Sequence, residues 1–444
     1  MATSRNYLFV SSEGLHVDLA WQVVREGHAV RYCIQNREEA DIGDGFVPKV
    51  EAWEPHVDWA DVIVFDDVLG HGDLADGLRA RGKHVVGGTP YTDRLEDDRS
   101  FGQDELKAAG VKTLPYREFT DFGEAIAYVR AHPRRYVLKP SGEAQNIKRL
   151  LFVGMEEDGS DVVRVLEAYA KIWADTVKVF QLQHRVTGVE VAVGAFFNGS
   201  RFMEPININF EHKKLFPGNI GPATGEMGTS MFWSGPNRLF NATLAKMAPR
   251  LREEGFRGYM DLNCIVNGTG IYPLEFTARF GYPTIQIQTD ALLESAADFL
   301  HNMASGAGDA IRVRRGFQVG VRVLVPPYPF KDRQTFETYS KDAAIVFKTP
   351  SRDGIHIEDV KCDGGSPDTG GGGGQEGGQW RVTGSSGVAL VVAGAGNTMR
   401  EARAQAYRRI SNILIPNMYY RTDIGERWFE DSDRLHSWGY LREN

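Results

Sequence analysis

Short apolar runs alternate with stretches of helical periodicity over the first hundred residues. Tyr7–Val10 predicts a buried strand, and Leu15–Arg25 carries apolar residues at helical spacing. Val30–Ile34, Val62–Phe65 and His84–Val86 predict three further strands. Strands alternating with amphipathic helices predict a parallel α/β sheet. Ligands of such sheets sit at the carboxyl ends of the strands. Here those ends carry Ser11-Ser12-Glu13-Gly14, Asp66-Asp67 and Gly87-Gly88-Thr89.

The texture changes near Phe101. Ser100–Ala109, Glu124–Ala131 and Val162–Trp173 predict helices, with strands at Tyr136–Pro140, Leu150–Val153 and Val177–Leu182. Strands then dominate: Glu190–Phe197, Ile206–Asn209, Asp261–Val266 and Tyr272–Phe276. One long helix is expected over Leu239–Glu254 and another over Ala291–Met303. A last region starts near Arg312 with a strand at Gln318–Val325 and ends with a strand at Val388–Ala393 and a helix over Thr398–Asn412. Inside it, residues 363–378 are dominated by glycine. With little to bury and high chain entropy, that stretch is expected to be a mobile surface loop. A phosphate-cradling reading fails for want of a leading strand, a GK[ST] and a following helix.

Composition narrows the classes. The chain has 444 residues, 42% hydrophobic and 25% charged, as in a globular protein of two to four domains. No apolar run approaches the ~20 residues of a membrane span, and the first residues lack a secretory signal pattern, so no membrane role is expected. The net charge of −8 argues against general nucleic-acid binding. Cys33, Cys264 and Cys362 are scattered, which points to a reducing, cytoplasmic compartment.

Three segments carry candidate chemistry. In Tyr272-Pro-Leu-Glu275-Phe-Thr277-Ala-Arg279-Phe-Gly281-Tyr-Pro283 a carboxylate ends a strand and an arginine follows in a Gly/Pro loop. Glu275 and Thr277 share one strand face, and Asp261 lies on a neighbouring strand. Two hard oxygen ligands suit Mg²⁺ with substrate phosphates; a structural Glu275–Arg279 ion pair is the alternative. In Glu211-His212-Lys213-Lys214, followed by Gly221-Pro-Ala-Thr224-Gly225-Glu226-Met227-Gly228, cations precede a loop able to present N–H groups to an anion; a solvated surface loop is the alternative. In Val137-Leu138-Lys139-Pro140 a lysine ends a buried strand. It needs an anionic partner or must snorkel to water.

In order, these pieces resemble the glycinamide ribonucleotide synthetases, ATP-grasp enzymes of purine synthesis. Arg99-Ser-Phe101 through Leu114 is similar to the helix opening that family's grasp domain, and Lys139-Pro-Ser-Gly142 to its "lysine-ala-x-gly" strand end. Gly188-Val-Glu190 resembles its "gly-x-glu", and Glu211–Gly228 its "asp-his-lys-arg … gly-pro-asn-thr-gly-gly-met-gly". Glu275–Pro283 resembles "glu-phe-asn-x-arg-phe-gly-asp-pro", and Glu401-Ala-Arg403, Tyr407 and Tyr420–Gly425 resemble its C-terminal motifs.

The resemblance implies an ATP-grasp fold of mixed α/β and α+β character. An N-terminal parallel α/β acceptor domain would span 1–100, the grasp domain 101–312 with its lid at 113–186, a small β-rich C-terminal α+β domain 313–432, and a tail 433–444. ATP and Mg²⁺, or Mn²⁺ in its place, would be the cofactors. Lys139, Arg99, Lys148, Gln183, His184, Arg185 and Glu190 would hold the nucleotide, and Glu275, Asp261 and Thr277 the metal. Arg279, Lys213 and His212 would act in catalysis. Glu211, Lys214, Thr224, Gly225, Glu226, Met227 and Gly228 would hold the carboxylate substrate. Small molecules are the expected partners, with a monomer or homodimer as the assembly.

The departures bear on the acceptor. Glu13–Asp18 replaces "gly-gly-arg-glu-his-ala", and Phe65-Asp66-Asp67-Val68-Leu69-Gly70 replaces "gly-pro-glu-x-pro-leu". Asp66 and Asp67 would repel a phosphate and suit a cationic or hydroxyl-rich acceptor. The lid loop is reduced to Gly142–Arg149, with Lys148 displaced by one position; Thr277 stands for asparagine, and Thr383-Gly-Ser-Ser-Gly387 lacks an arginine. Three readings stay open: a ligase joining a small amino acid such as glycine to an amine other than phosphoribosylamine, a genuine phosphoribosylamine–glycine ligase, and an inactive nucleotide-binding relative.

Overall fold

A computed structural model describes residues 4–66, 70–141, 144, 147, 150–364 and 378–443, and among them six sheets are packed with covering helices. Strands β1 (Asn6–Ser11), β2 (Ala29–Ile34), β3 (Val62–Phe65) and β4 (His84–Val86) form a parallel sheet in the order β2-β1-β3-β4. Every residue of Val62–Phe65 is buried, as expected of a parallel strand covered on both faces. Helices α1 (Val17–Arg25) and α2 (Gly72–Ala80) belong to this unit, and α3 (Pro90–Asp97) and α4 (Arg99–Ala108) lead out of it. A capping box at Thr89 starts α3, and Asp98 caps α4.

A second unit has its own core. Strands β5 (Tyr116–Phe119), β6 (Tyr136–Pro140), β7 (Phe152–Val153) and β8 (Phe180–His184) pair in the antiparallel order β5-β8-β6-β7, with α5 (Phe122–Ala131) and α6 (Ser160–Ile172) alongside. Phe119, Phe122 and Phe180 stack at its centre.

The largest sheet organises the rest. It contains β9 (Val189–Asn198), β10 (Ile206–Glu211), β13 (Gly228–Ser234), β14 (Arg257–Asn267) and β15 (Gly270–Thr277). The hairpin β11 (Lys214–Phe216) and β12 (Ile220–Ala223) protrudes between β10 and β13. Strands β16 (Phe317–Leu324), β18 (Ile355–Ile357) and β21 (Val388–Gly396) extend the same sheet, in the order β15-β14-β9-β10-β13-β16-β21-β18. The C-terminal region is therefore hydrogen-bonded to the central unit through β13 and β16. Helices α7 (Arg238–Ala242), α8 (Ala248–Glu253), α9 (Thr284–Asp290), α10 (Ala296–Ser305), α11 (Arg333–Tyr339), α12 (Met399–Ile410) and α13 (Arg427–Ser437) cover it. Small pairings of β17 (Val346–Phe347) with β22 (Ile413–Leu414) and of β19 (Val360–Asp363) with β20 (Gln379–Val382) complete the fold. No helix among the described residues is long and apolar enough to cross a membrane.

Several local expectations change. The long helix over Leu239–Glu254 is broken: Thr243 leaves helical geometry at φ −130° and ψ −95°, and Pro249 sits in the first turn of α8 rather than a helix interior. The helix over Ala291–Met303 begins only at Ala296, because Ser295 caps it by accepting from the Asp298 N–H at 3.0 Å. The strand near Val177 begins only at Phe180. A strand, β19, does lead into the glycine-rich segment, carried by the buried alternating pair Val360 and Cys362. Of the mobile loop expected at 363–378, Asp363 belongs to β19 and residues 365–377 lie outside the described residues.

The N-terminal unit is pinned to the C-terminal strands by a buried pair. Asp18 on α1 lies 2.8 Å from His356 Nδ1 on β18 and also accepts from the Ile357 N–H at 3.0 Å. Burial alone would lower the His356 pKa, but the Asp18 carboxylate outweighs it and the net shift is upward from 6.5. The pair therefore contributes its full stability below about pH 6.5 and loses it as pH rises through the raised folded-state value. Denaturant unfolding between pH 6 and 9 is expected to show this loss as the difference between wild type and Asp18→Asn, which shrinks as pH rises. A difference constant with pH would show that His356 is not the titrating partner.

Candidate active site

Four adjacent strands place acidic side chains along one cleft. Register sets Asp261 opposite Thr277 and Asn263 opposite Glu275 on β14 and β15, while Glu190 is the second residue of β9 and Glu211 ends β10. Lys213, just after β10, is their hub. Its Nζ lies 3.2 Å from Glu275, 3.3 Å from Glu211 and 3.5 Å from Glu190. Burial opposes its charge, but these carboxylates outweigh burial and raise its pKa well above an ordinary lysine's. Asn263 donates to both oxygens of Glu211 at 3.3 Å. Arg427 of α13 ties the strand ends together from the Glu211 and Glu190 carbonyls, each at 2.8 Å.

The cations come from three other directions. Arg99, the first residue of α4, lies 3.3 Å from Glu275. Lys139 ends β6 and is buried, so it does not snorkel to water. Desolvation and the nearby Arg99 guanidinium lower its pKa to about 8. A buried ammonium of this kind calls for an anion. Arg279 is bound elsewhere than expected: Glu275 pairs with Lys213 and Arg99, whereas Arg279 Nε lies 3.1 Å from Glu96 on α3. Glu96 also accepts from the Ala278 N–H at 2.9 Å, so one carboxylate fixes both the turn after β15 and the arginine it carries.

His212 and Lys214 depart from the picture of three clustered cations. His212 is buried, its Nε2 accepts from the Gly425 N–H at 3.2 Å, and burial together with Arg421 and Arg427 lowers its pKa to about 3. It is therefore a neutral ring. Lys214 is exposed, and its carbonyl accepts from Arg421 at 2.7 Å. Thr224 closes the loop by bonding the Lys213 carbonyl through its N–H at 2.7 Å and its hydroxyl at 2.9 Å. Thr224, Glu226, Met227 and Gly228 are buried and Gly225 is exposed, so the loop is only partly a solvated one. At Gly228, with φ +155°, an added Cβ would meet the Gly320 carbonyl at 2.6 Å. Burial and Glu211 push the Glu226 carboxyl well above its usual range, and its Oε1 has no partner among the described residues.

The expected hinge residues divide. Gln183 is buried in β8, His184 packs its ring nitrogens 3.1–3.2 Å from Arg134, and Arg185 donates to the Gly154 carbonyl at 2.8 Å. Lys148 and Asp67 lie outside the described residues. Asp66, described at the end of β3, is fully buried and is among the carboxylates that keep Arg279 charged.

For a divalent ion, the described residues contain no ready-made group of three or more His, Cys, Asp or Glu. The donor chemistry nonetheless suits Mg²⁺, which needs one or two carboxylates with phosphates and water. Asp261 is buried, its Oδ1 has no partner among the described residues, and burial and Glu211 push its pKa well up. A cation beside Glu275 on the neighbouring strand would satisfy that oxygen. Thr277 bonds Asp261 and so stands behind it. Sequence spacing did not reveal Glu96, Asn263 or Arg427; only the acidic run around Glu96 gave a signal.

Known proteins resemble this chain in sequence and fold. Residues 97–285 match the family described as phosphoribosylglycinamide synthetase, ATP-grasp (A) domain. A phosphoribosylamine–glycine ligase of Halalkalibacterium halodurans is 24% identical over 369 residues, covering 80% of this chain and 79% of the relative. That of Streptomyces coelicolor is 27% identical, with 80% of each chain covered. The crystal structure of the Thermotoga maritima phosphoribosylamine–glycine ligase superposes with a TM-score of 0.66 at 20% identity, over 94% of this chain and 100% of that one. A biotin carboxylase domain of Hydrogenobacter thermophilus 2-oxoglutarate carboxylase, solved with MgADP, gives 0.60 at 12% identity, over 98% of each chain.

Nucleotide binding should depend on Lys139. Lys139→Met is expected to weaken MgATP by about 10- to 100-fold, the usual loss for a charged hydrogen bond. In wild type the affinity should fall above pH 8 as the ammonium loses its proton, and in Lys139→Arg it should not. Calorimetric titrations at pH 7 and 9 check both; equal affinity in the methionine variant would remove Lys139 from the nucleotide site.

Proposed function

Built on the ATP-grasp fold and related to the phosphoribosylamine–glycine ligases, this chain is, we propose, an ATP-dependent, ADP-forming carboxylate–amine ligase of the cytoplasm. It joins glycine or another small amino acid to an amine other than phosphoribosylamine. The observation that carries this reading is a buried, partner-seeking Lys139 beside the Glu275–Lys213–Arg99 cluster, with Arg279 fixed by Glu96 on the turn after β15. Phosphoryl transfer is mostly positioning and charge stabilisation, and these are the groups it needs.

The substrate carboxylate, oriented by Lys213 and the Thr224–Gly228 loop, attacks the γ-phosphorus of ATP. The bond to the β–γ bridging oxygen breaks, and ADP leaves with the electron pair. Lys139 and Arg99 contact the phosphates, and the strand end at Gln183–Arg185 borders the adenine. Glu275 and Asp261 would hold Mg²⁺, which neutralises phosphate charge when bound. The amine nitrogen then attacks the carbonyl carbon of the acyl phosphate. Arg279 stabilises the oxyanion, inorganic phosphate leaves, and the nitrogen releases its proton to water. His212, neutral, acts by positioning Lys213 rather than by moving protons.

A second reading, a genuine phosphoribosylamine–glycine ligase, is favoured by the breadth of similarity to that family. Against it stands the buried carboxylate of Asp66 at the acceptor edge. ADP release with Mg²⁺-ATP and glycine tests the ligase reading. Glu275→Gln is expected to lower it by about 10²- to 10³-fold with unfolding unchanged. Undiminished turnover would overturn the role given to Glu275.

A further inference from the structure

The carboxyl edge of the N-terminal parallel sheet holds a second buried polar cluster that phosphoryl transfer does not use. Ser11 ends β1, Gln35 follows β2, Asp66 follows β3, and His71 precedes α2. Asp66 is fully buried. Its Oδ2 accepts from the Ser11 hydroxyl, which itself accepts from the Gly14 N–H at 2.7 Å. Its Oδ1 is buried with no partner among the described residues. His71 Nε2 lies 2.7 Å from Gln35 Oε1, and its Nδ1 is left unpartnered in the same way. Across the edge, the loop after β15 brings a third such atom, the buried hydroxyl of Tyr282. The charge of Asp66 bears on His71, Tyr282 and Arg279 alike, so these groups share the electrostatic environment of the space at its free oxygen.

Charge decides what that space accepts. His16 and His71 are kept neutral by burial, and Tyr32 and Tyr282 stay protonated. Arg279, the cation facing this edge, is already paired with Glu96. A phosphate dianion would meet Asp66 without a free counter-charge, and its burial would be strongly opposed. An ammonium group does the reverse, because it supplies the donor that Asp66 Oδ1 lacks. Hydroxyls suit the remaining two atoms, since an imidazole nitrogen and a phenol can each exchange a hydrogen bond with an alcohol.

We propose that this edge binds the acceptor as a cationic, unphosphorylated amino alcohol or amino sugar. Asp66 holds its ammonium, which passes one proton to water to free the lone pair before the nitrogen attacks, and His71 and Tyr282 hold its hydroxyls. The inference rests on the ligase reading for its meaning but not for its test, which is a binding measurement.

MgADP-loaded protein is titrated calorimetrically with glucosamine, galactosamine and ethanolamine, each beside its phosphate monoester. At least one free amine is expected to bind, with its phosphate ester at least about tenfold weaker. Asp66→Asn, which keeps the shape and the Ser11 contact, should weaken the amine at least about tenfold and leave MgADP affinity unchanged. Tyr282→Phe, which removes only the hydroxyl, should weaken it less and serves if the asparagine variant does not fold. Tighter binding of the phosphate esters, no binding by any free amine, or amine affinity indifferent to both substitutions would each overturn the proposal. Amine bound through Asp66 in a protein that never cleaves ATP would overturn the ligase reading and leave this site standing.

Discussion

One half-buried ammonium allows the cleft to exist. Glu190, Glu211 and Glu275 reach it from three strands, and Lys213 lies within 3.5 Å of each. Two like charges ~4 Å apart near a protein surface repel by about 4 kcal/mol. Without Lys213 the strand ends would have to protonate or part. With it they form a fixed array of alternating charge, into which Arg99 adds a second cation and Asp261 a carboxyl with an oxygen to spare. Negative and positive groups are thus held at close quarters before any substrate arrives, which is what electrostatic preorganisation requires.

The sheet supplies the precision. Neighbouring strands β15, β14, β9 and β10 fix the spacing of the acids through backbone register, not through flexible side chains. Arg427 locks two of the strand ends from behind, and Glu96 locks the turn that carries Arg279. The parallel sheet then closes the other side with its carboxyl edge, where such sheets place their ligands. The charges of Asp261 in the one cluster and of Asp66 in the other both bear on Arg279. A bond-forming reaction between two substrates needs a separate chemistry of recognition for each partner.

Much of this was legible in the chain. Lys139 ends an apolar strand, and a lysine there demands a partner wherever the strand lies. The strands of the first sheet and the ends that carry Asp66 follow from apolar runs and their spacing. Local spacing misled where the partner is remote. Glu275 and Arg279 stand four residues apart and suggest a pair, yet Arg279 takes Glu96, and Glu96 bonds the backbone of Ala278 from 182 residues earlier. His212 looked like one of three cations because nothing near it in sequence announces Arg421 and Arg427, which with burial keep it neutral. Lys214 was readable in principle: adjacent residues on an extended chain face opposite ways, so Lys213 and Lys214 could not both enter the cleft. Pro249 likewise signalled the broken helix. That β16, β18 and β21 join the central sheet was not readable, since apolar alternation identifies a strand but not its neighbour.

The proposed reaction requires formation of an acyl phosphate before the amine attacks. The most direct measurement is positional isotope exchange in ATP carrying ¹⁸O in the β–γ bridge, followed by ³¹P NMR with Mg²⁺, with and without glycine or another small amino acid, and with no amine present. The account predicts scrambling of the bridge oxygen that depends on the amino acid and disappears in its absence. A protein that binds MgATP yet scrambles nothing with any small amino acid would contradict it.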